Sequence, residues 1–373
     1  MRFASAVSGM ERAMTFDLLR LVRPNIRELK PYSSARSEFA GAAEVFLDAN
    51  ENAYGSPAGG DYNRYPDPLQ VDLKQKASAL IGISPSQMFV GNGSDEAIDL
   101  LFRIFCTPGE DAVIICPPTY GMYRVSAEIN DVDVTEVRLT EDFQLHVSSI
   151  IAAISERTKL IFVCSPNNPT GNLMDRGAII EIAKNFDGIV VVDEAYMDFA
   201  DGPSMLSELG VIPNLVVLRT FSKAWGMAGL RVGMACASPE IIGLMNRVKP
   251  PYNVSEIAQR AVIDALDDGM IVRERIASII TGRQNMVAAL AELAFVKTVY
   301  PSDANFVLVK LADANAVYRY LIDNKIVVRN RSTVELCDEC LRITIGTPAE
   351  NDRLIDALTR YEPQISGGEQ LKG

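Results

Sequence analysis

The chain has 373 residues, 48% of them hydrophobic, with a net charge of −12 and a single histidine, His146. That length supports one large domain and a smaller one around a sizeable core. The acidic balance argues against nucleic acid or an anionic membrane as a general partner, no apolar run approaches the roughly 20 residues that span a bilayer, and one histidine nearly excludes His-dependent triads and multi-histidine metal sites.

Residues 1–13 lack the apolar stretch of a secretory signal, contain Glu11 and read as a loose extension, with Met14 an alternative start. Arg27–Arg36 is polar with a Pro-Tyr break and reads as an arm over a surface. Val45–Leu47 leads into DANENAYG, which contains Asn50, and YNRYPDP (Tyr62–Pro68) follows as either a surface turn or a binding loop. From Leu69 onward an alternation sets in. Helical patterns at Leu69–Ile81, Ala97–Phe105 and Gly177–Phe186 alternate with apolar runs at Met88–Val90, Ala112–Cys116, Leu160–Cys164, Ile189–Val192, Leu215–Leu218 and Val232–Ala237. This pattern predicts an α/β fold of crossover units on a mostly parallel sheet. The alternation weakens at Pro250 and Pro251, and one long helical stretch is predicted from Ser255 to about Leu293. Strands at Phe306–Val309, Ile326–Arg329 and Leu341–Ile345, with a helix at Asn315–Asn324, are predicted beyond it; residues 365–373 look frayed. The expected division is an N-terminal arm with part of a small domain (1–50), a large domain (51–260) and a small C-terminal domain (261–373).

Six cysteines are present, and Cys116, Cys164 and Cys236 fall inside apolar runs, which suits buried free thiols and a cytoplasmic setting. Cys337 and Cys340 form a CxxC, read as a loop with two thiols because a zinc site would need further ligands; no metal is expected.

In open parallel sheets, ligands bind outside the carboxyl ends of the strands. There Met88–Val90 is followed by GNGSDE, in which Gly93 allows close backbone approach, Ser94 is the expected N-cap, and the free amides of the helix start suit a phosphate. Asp95 and Glu96 complement the helix dipole, and both are counted among the expected cofactor contacts. The next strands deliver Tyr120, then Asn168 in SPNNPTG, then Asp193 and Tyr196, then Ser222, Lys223 and Arg231. Taken singly, these are a core aromatic, a turn residue, a helix cap, a loop lysine and a surface charge. Together at one sheet edge they suit pyridoxal phosphate chemistry: Lys223 forms the imine and Asp193 pairs with the ring nitrogen. Tyr196 and Asn168 could hydrogen-bond the phenolic oxygen, Tyr120 could stack, and Ser222, Arg231 and the amides of Ser94 and Asp95 could hold the phosphate.

The motifs LDANENAYG, NRYPDP, GNGSDEAIDLLFR, CPPTYGMY, VCSPNNPTGN, VVDEAYMDF, LRTFSKAWGMAGLRVG and LRITIGT run from about Tyr32 to Thr347. With them the chain resembles the fold-type I pyridoxal-phosphate aminotransferases, and among these the histidinol-phosphate aminotransferase branch. The resemblance implies a seven-stranded, mostly parallel large-domain sheet between helices, plus a smaller α+β domain. It also implies amino-group exchange between L-histidinol phosphate and 2-oxoglutarate in histidine biosynthesis, by a ping-pong route through aldimine and ketimine, with Lys223, Asp193 and Tyr196 catalytic. Arg342 matches the arginine that holds the carboxylate of glutamate, with Arg329, Tyr32 and Asn50 as further substrate ligands. Tyr65 matches a tyrosine that reaches into the partner subunit's site, implying a homodimer. Trp225, Gly226 and Met227 stand where relatives vary in hydrophobic residues. The alternatives are an aromatic amino-acid aminotransferase, a phosphothreonine-type decarboxylase on the same fold, a pyridoxal-phosphate-binding protein without turnover, or an unrelated α/β protein without cofactor.

Overall fold

The computed structural model describes residues 16–32, 44–60 and 62–362; the 1–13 extension, the arm beyond Tyr32 as far as Arg36, and the 365–373 tail lie outside the described residues. Two sheets organise the chain. The larger contains β1 (Met88–Asn92), β2 (Ala112–Ile115), β3 (Asp133–Glu136), β4 (Thr158–Cys164), β5 (Ile189–Asp193), β6 (Leu215–Thr220) and β7 (Val232–Cys236), in the order β1-β7-β6-β5-β4-β2-β3. Only β7 runs antiparallel to its neighbours, so the other six strands end at one edge.

Both faces of this sheet are covered, which is why its strands read as continuous apolar runs. On β5, Val190 and Val192 pack with helices Val71–Ile81, Arg176–Lys184 and Glu256–Ala265, while Ile189 and Val191 pack with Gly93–Phe105, Met122–Ile129 and Pro239–Val248. Leu215, Val216, Val217 and Leu218 are each 0% exposed, so this one segment gives both faces apolar burial worth about 1.5–3 kcal/mol per side chain. The backbone that carries Lys223 therefore leaves a rigid element.

The smaller sheet, β8 (Val296–Val299), β9 (Phe306–Leu311), β10 (Arg329–Asn330) and β11 (Cys340–Thr344), is antiparallel throughout in the order β10-β11-β9-β8. One face packs on helices Gly269–Ala291, Ala314–Asp323 and Pro348–Thr359. The other turns toward the large sheet.

Several elements differ from expectation for identifiable reasons. The edge strands β3 (DVTE) and β8 (VKTV) are half polar and exposed, so they carry no apolar run. The long helix predicted from Ser255 is two helices joined by a 3₁₀ turn at Leu266–Asp268, where Asp267, Asp268 and Gly269 interrupt the helical pattern. The strand expected at Ile326–Arg329 is confined to Arg329–Asn330. All six cysteines are buried and free. Among the described residues, no helix is long and apolar enough to cross a membrane.

Candidate active site

A cleft with about 540 Å³ of empty space, open mouth included, sits at the carboxyl edge of the large sheet. Its walls bring together Gly93, Ser94, Asp95, Tyr120, Asn168, Asp193, Tyr196, Ser222, Lys223 and Arg231, ten of the residues expected from the strand ends. At one end, helix Gly93–Phe105 starts against β7. Gly93 has φ +72°, and a Cβ there would lie 2.7 Å from Arg231 Nη2. A Cβ on Gly233 would lie 2.3 Å from the backbone nitrogen of Ser94. Only glycine permits this approach. The result is a cup in which first-turn amides, the Ser222 hydroxyl and the Arg231 guanidinium face one space. Arg231 is held there by Asp95 at 3.3 Å, and Asp95 also accepts from Tyr120 Oη at 3.1 Å. The cap differs from expectation: Asn92 is the N-cap, and Ser94 lies within the first turn.

At the other end, Asp193 closes β5 and is 3% exposed. Tyr123 Oη donates to its Oδ2 at 2.9 Å and the Ala195 amide donates to Oδ1 at 3.1 Å, but no arginine or lysine pairs with it among the described residues. Burial pushes its carboxyl up from 3.8 to about 6. Lys223 follows β6 in a turn closed by Gly226 N–H to its carbonyl at 3.1 Å, and its Nζ stands 5.5 Å from the Tyr196 ring centre. The side chain reaches solvent through the cleft mouth, yet surrounding protein, followed by Arg342, lowers its pKa below that of an ordinary lysine. Burial raises the Tyr196 hydroxyl. Asn168 is 8% exposed, and its Oδ1 accepts from Arg342 Nη1 at 2.5 Å, which leaves Nδ2 as the donor facing the cleft. Arg342 also lies 5.1 Å over the Phe306 ring, so it joins the small sheet to the cleft.

Comparison with known proteins agrees with this geometry. The family model for aminotransferase class I and II matches residues 37–358. The histidinol-phosphate aminotransferase of Parabacteroides distasonis is 54% identical over 342 residues, covering 92% of this chain and 98% of that protein, and the enzyme of the same name from Cytophaga hutchinsonii is 52% identical over 93% and 100%. The chain belongs to the class I and II aminotransferases. Among solved structures, the histidinol-phosphate aminotransferase of Sinorhizobium meliloti in complex with pyridoxal 5′-phosphate superposes on this aminotransferase with TM-score 0.74 at 27% identity, covering 83% of this chain and 88% of that one.

Other expected residues of the aminotransferase stand elsewhere. Glu96 is not part of the cleft, which corrects its assignment as a cofactor contact: its carboxylate accepts the Asn92 amide at 2.5 Å and Asn253 Nδ2 at 3.1 Å, so it stabilises the helix start from behind. Tyr32 and Asn50 are exposed and line no part of it. Tyr65, 52% exposed, stacks on Tyr252 with ring centres 4.5 Å apart, in a separate groove with Arg64 and Pro66. Arg329 is exposed and pairs across the strands with Arg342. Trp225 packs edge-on against Phe221, beside the lysine turn. The sequence reading omits three lining residues, Cys164, Ala195 and Thr220, and two that position others. Tyr123 lies three residues past Tyr120 in PTYGMY, in the first turn of helix Met122–Ile129; Asn167 bridges Pro118 O at 2.8 Å and Thr170 at 2.7 Å, tying two site loops together. Their signal is proximity in the chain to residues already chosen, which does not distinguish them from filler.

Proposed function

We propose that this aminotransferase transfers the amino group between L-histidinol phosphate and 2-oxoglutarate, the exchange that runs in the direction of histidinol phosphate during histidine biosynthesis. The carrying observation is a buried carboxylate without a cation, Asp193, set across one cleft from a lysine of lowered pKa and an arginine, Arg342, hydrogen-bonded to Asn168. The substrate follows from relatives about half identical over nearly the whole chain that carry that name.

Pyridoxal 5′-phosphate fits the residues present. The cup beside Gly93 and Gly233 offers amides, a hydroxyl and a guanidinium to a phosphate. Asp193, ionised at neutral pH but unpaired, suits a protonated ring nitrogen. When bound, the cofactor supplies an electron-withdrawing ring that stabilises negative charge at the carbon bearing the amine. Asp193 would keep a proton on the ring nitrogen, and Tyr123 and Ala195 hold that carboxylate in place. Asn168 Nδ2 and Tyr196 Oη, both lining the cleft, would donate to the ring oxygen, and Tyr120 would stack on the ring. Burial lowers the Lys223 pKa from that of an ordinary lysine, which favours the unprotonated amine that would hold the cofactor and would serve as the proton carrier at the substrate carbon. Arg342, with Arg329, binds the phosphate of one substrate and the carboxylate of the other in turn. Tyr65 stands outside its own cleft and serves that of a second subunit in a homodimer, a reading supported by its exposure and its place in a separate groove. Six free cysteines support a cytoplasmic location.

The test compares specificity constants for histidinol phosphate and for phenylalanine, with 2-oxoglutarate as acceptor. A constant for histidinol phosphate about 100-fold or more above that for phenylalanine is expected, since a phosphate site rejects a substrate that leaves its donors unpaired. A higher constant for phenylalanine refutes the assignment in favour of an aromatic aminotransferase.

A further inference from the structure

The β10–β11 pair sets Arg329 directly opposite Arg342, and the Arg331 amide continues the ladder to Cys340 O at 2.9 Å. Residues two apart on a strand share a face, as do residues directly opposite. Arg329, Arg331 and Arg342 therefore lie on one face of the small sheet. That face is turned to the large domain: Leu308 and Cys340 on it pack into the large core, whereas Leu341 and Ile343 on the other pack into the small one.

Three cations in one place need an anion. Among the described residues, no carboxylate forms an ion pair with Arg329, Arg331 or Arg342, although acidic residues outnumber basic ones by 48 to 36. Among the described residues, seven buried side-chain nitrogen or oxygen atoms lack a hydrogen-bond partner, and three of them, Arg331 Nε, Ser332 Oγ and Arg342 Nε, fall in this one hairpin. Unpartnered buried donors are costly, so clustering of this kind marks a place where a ligand supplies the acceptor. Burial and then the neighbouring Arg342 and Arg329 depress the Arg331 guanidinium, as unneutralised crowding requires.

Resting on the function proposed above, we infer that Arg331, assisted by the Ser332 hydroxyl, determines specificity in the anion site. A phosphate dianion has the charge and the oxygens to engage Arg331 as well as Arg342, whereas a substrate carboxylate, with one charge and two oxygens, is served by Arg342 with Arg329. The third arginine thus favours the phosphorylated substrate without excluding the dicarboxylate.

The experiment uses the Arg331→Gln holoenzyme, in which the cofactor fills its own phosphate cup. The KM for histidinol phosphate should rise about tenfold or more with kcat within about twofold, as loss of a hydrogen bond to a charged group implies, while the KM for glutamate rises less than about threefold. Titration calorimetry with inorganic phosphate gives a readout independent of turnover, and its Kd should rise about tenfold. Arg331→Lys keeps the charge without the fork; an intermediate KM is expected, and this variant decides the matter if the glutamine variant does not fold. Equal changes in both KM values, or phosphate binding unchanged in the variants, overturn the assignment. If wild-type enzyme prefers phenylalanine yet binds phosphate through Arg331, the proposed function falls and this assignment stands.

Discussion

Replacing Asp193 by Asn should stabilise the cofactor-free protein while disabling it. The carboxyl is raised from 3.8 to about 6, chiefly by burial, so keeping it ionised in the folded apoprotein at pH 8 costs about 3 kcal/mol. Between these values the unfolded chain has already released the proton that the folded chain retains. Stability from this group is therefore fully present below about pH 4 and is lost as pH rises through about 6. Asparagine does not ionise and can still accept the Ala195 amide. Apo Asp193→Asn should accordingly unfold at a higher temperature than apo wild type at pH 8, by a few degrees, with the difference shrinking toward zero near pH 4. Other titrating groups are common to both proteins and cancel in the comparison. Turnover should fall by about 10²-fold or more, because nothing then holds the proton on the ring nitrogen. Thermal unfolding of both apoproteins across this range is the assay. A stability difference independent of pH, or of opposite sign at pH 8, refutes the desolvated carboxylate as the source.

Lys223→Ala should abolish the visible absorbance of the lysine-linked cofactor and lower turnover by about 10³-fold or more, measured by spectrophotometry and by glutamate half-reaction. Gly233→Ala places a Cβ 2.3 Å from Ser94 N and 2.5 Å from Gly93 C, both backbone atoms, so the helix start must shift; a fall in unfolding free energy of about 1–3 kcal/mol and at least about tenfold weaker cofactor binding by equilibrium dialysis are expected. Tyr65→Ala and Lys223→Ala chains, each nearly inactive alone, should regain about a quarter of wild-type activity when co-refolded in equal amounts, since half of the dimers then contain one intact site; no recovery in confirmed mixed dimers would place Tyr65 outside the partner's site.

Much of the site was legible because the chemistry lies where strands end. The runs Leu160–Cys164, Ile189–Val192 and Leu215–Leu218 are apolar on both faces, so their ends could be located and Asn168, Asp193 and Lys223 read off just beyond them. Edge strands lack that mark: β3 and β8 have no buried residue, mix polar with apolar side chains and look like loops in one dimension. Side-chain direction was equally hidden. Asp95 and Glu96 are adjacent in the helix start, yet one faces the cup and the other turns back to Asn92 and Asn253, because successive helical residues point about 100° apart and Asn253 arrives from a distant turn.

By itself the sequence determined the local elements, the identity of the lysine, the carboxylate and the arginines, and the edge of the sheet that gathers them, since these follow from apolar periodicity and residue chemistry. Only the tertiary structure decided how they act together. Folding the small sheet against the large one carries Arg342 to Asn168 across 174 residues of chain, and sets Arg331 on the same face. Burial in that fold then raises the Asp193 carboxyl and lowers the Lys223 amine from their ordinary values.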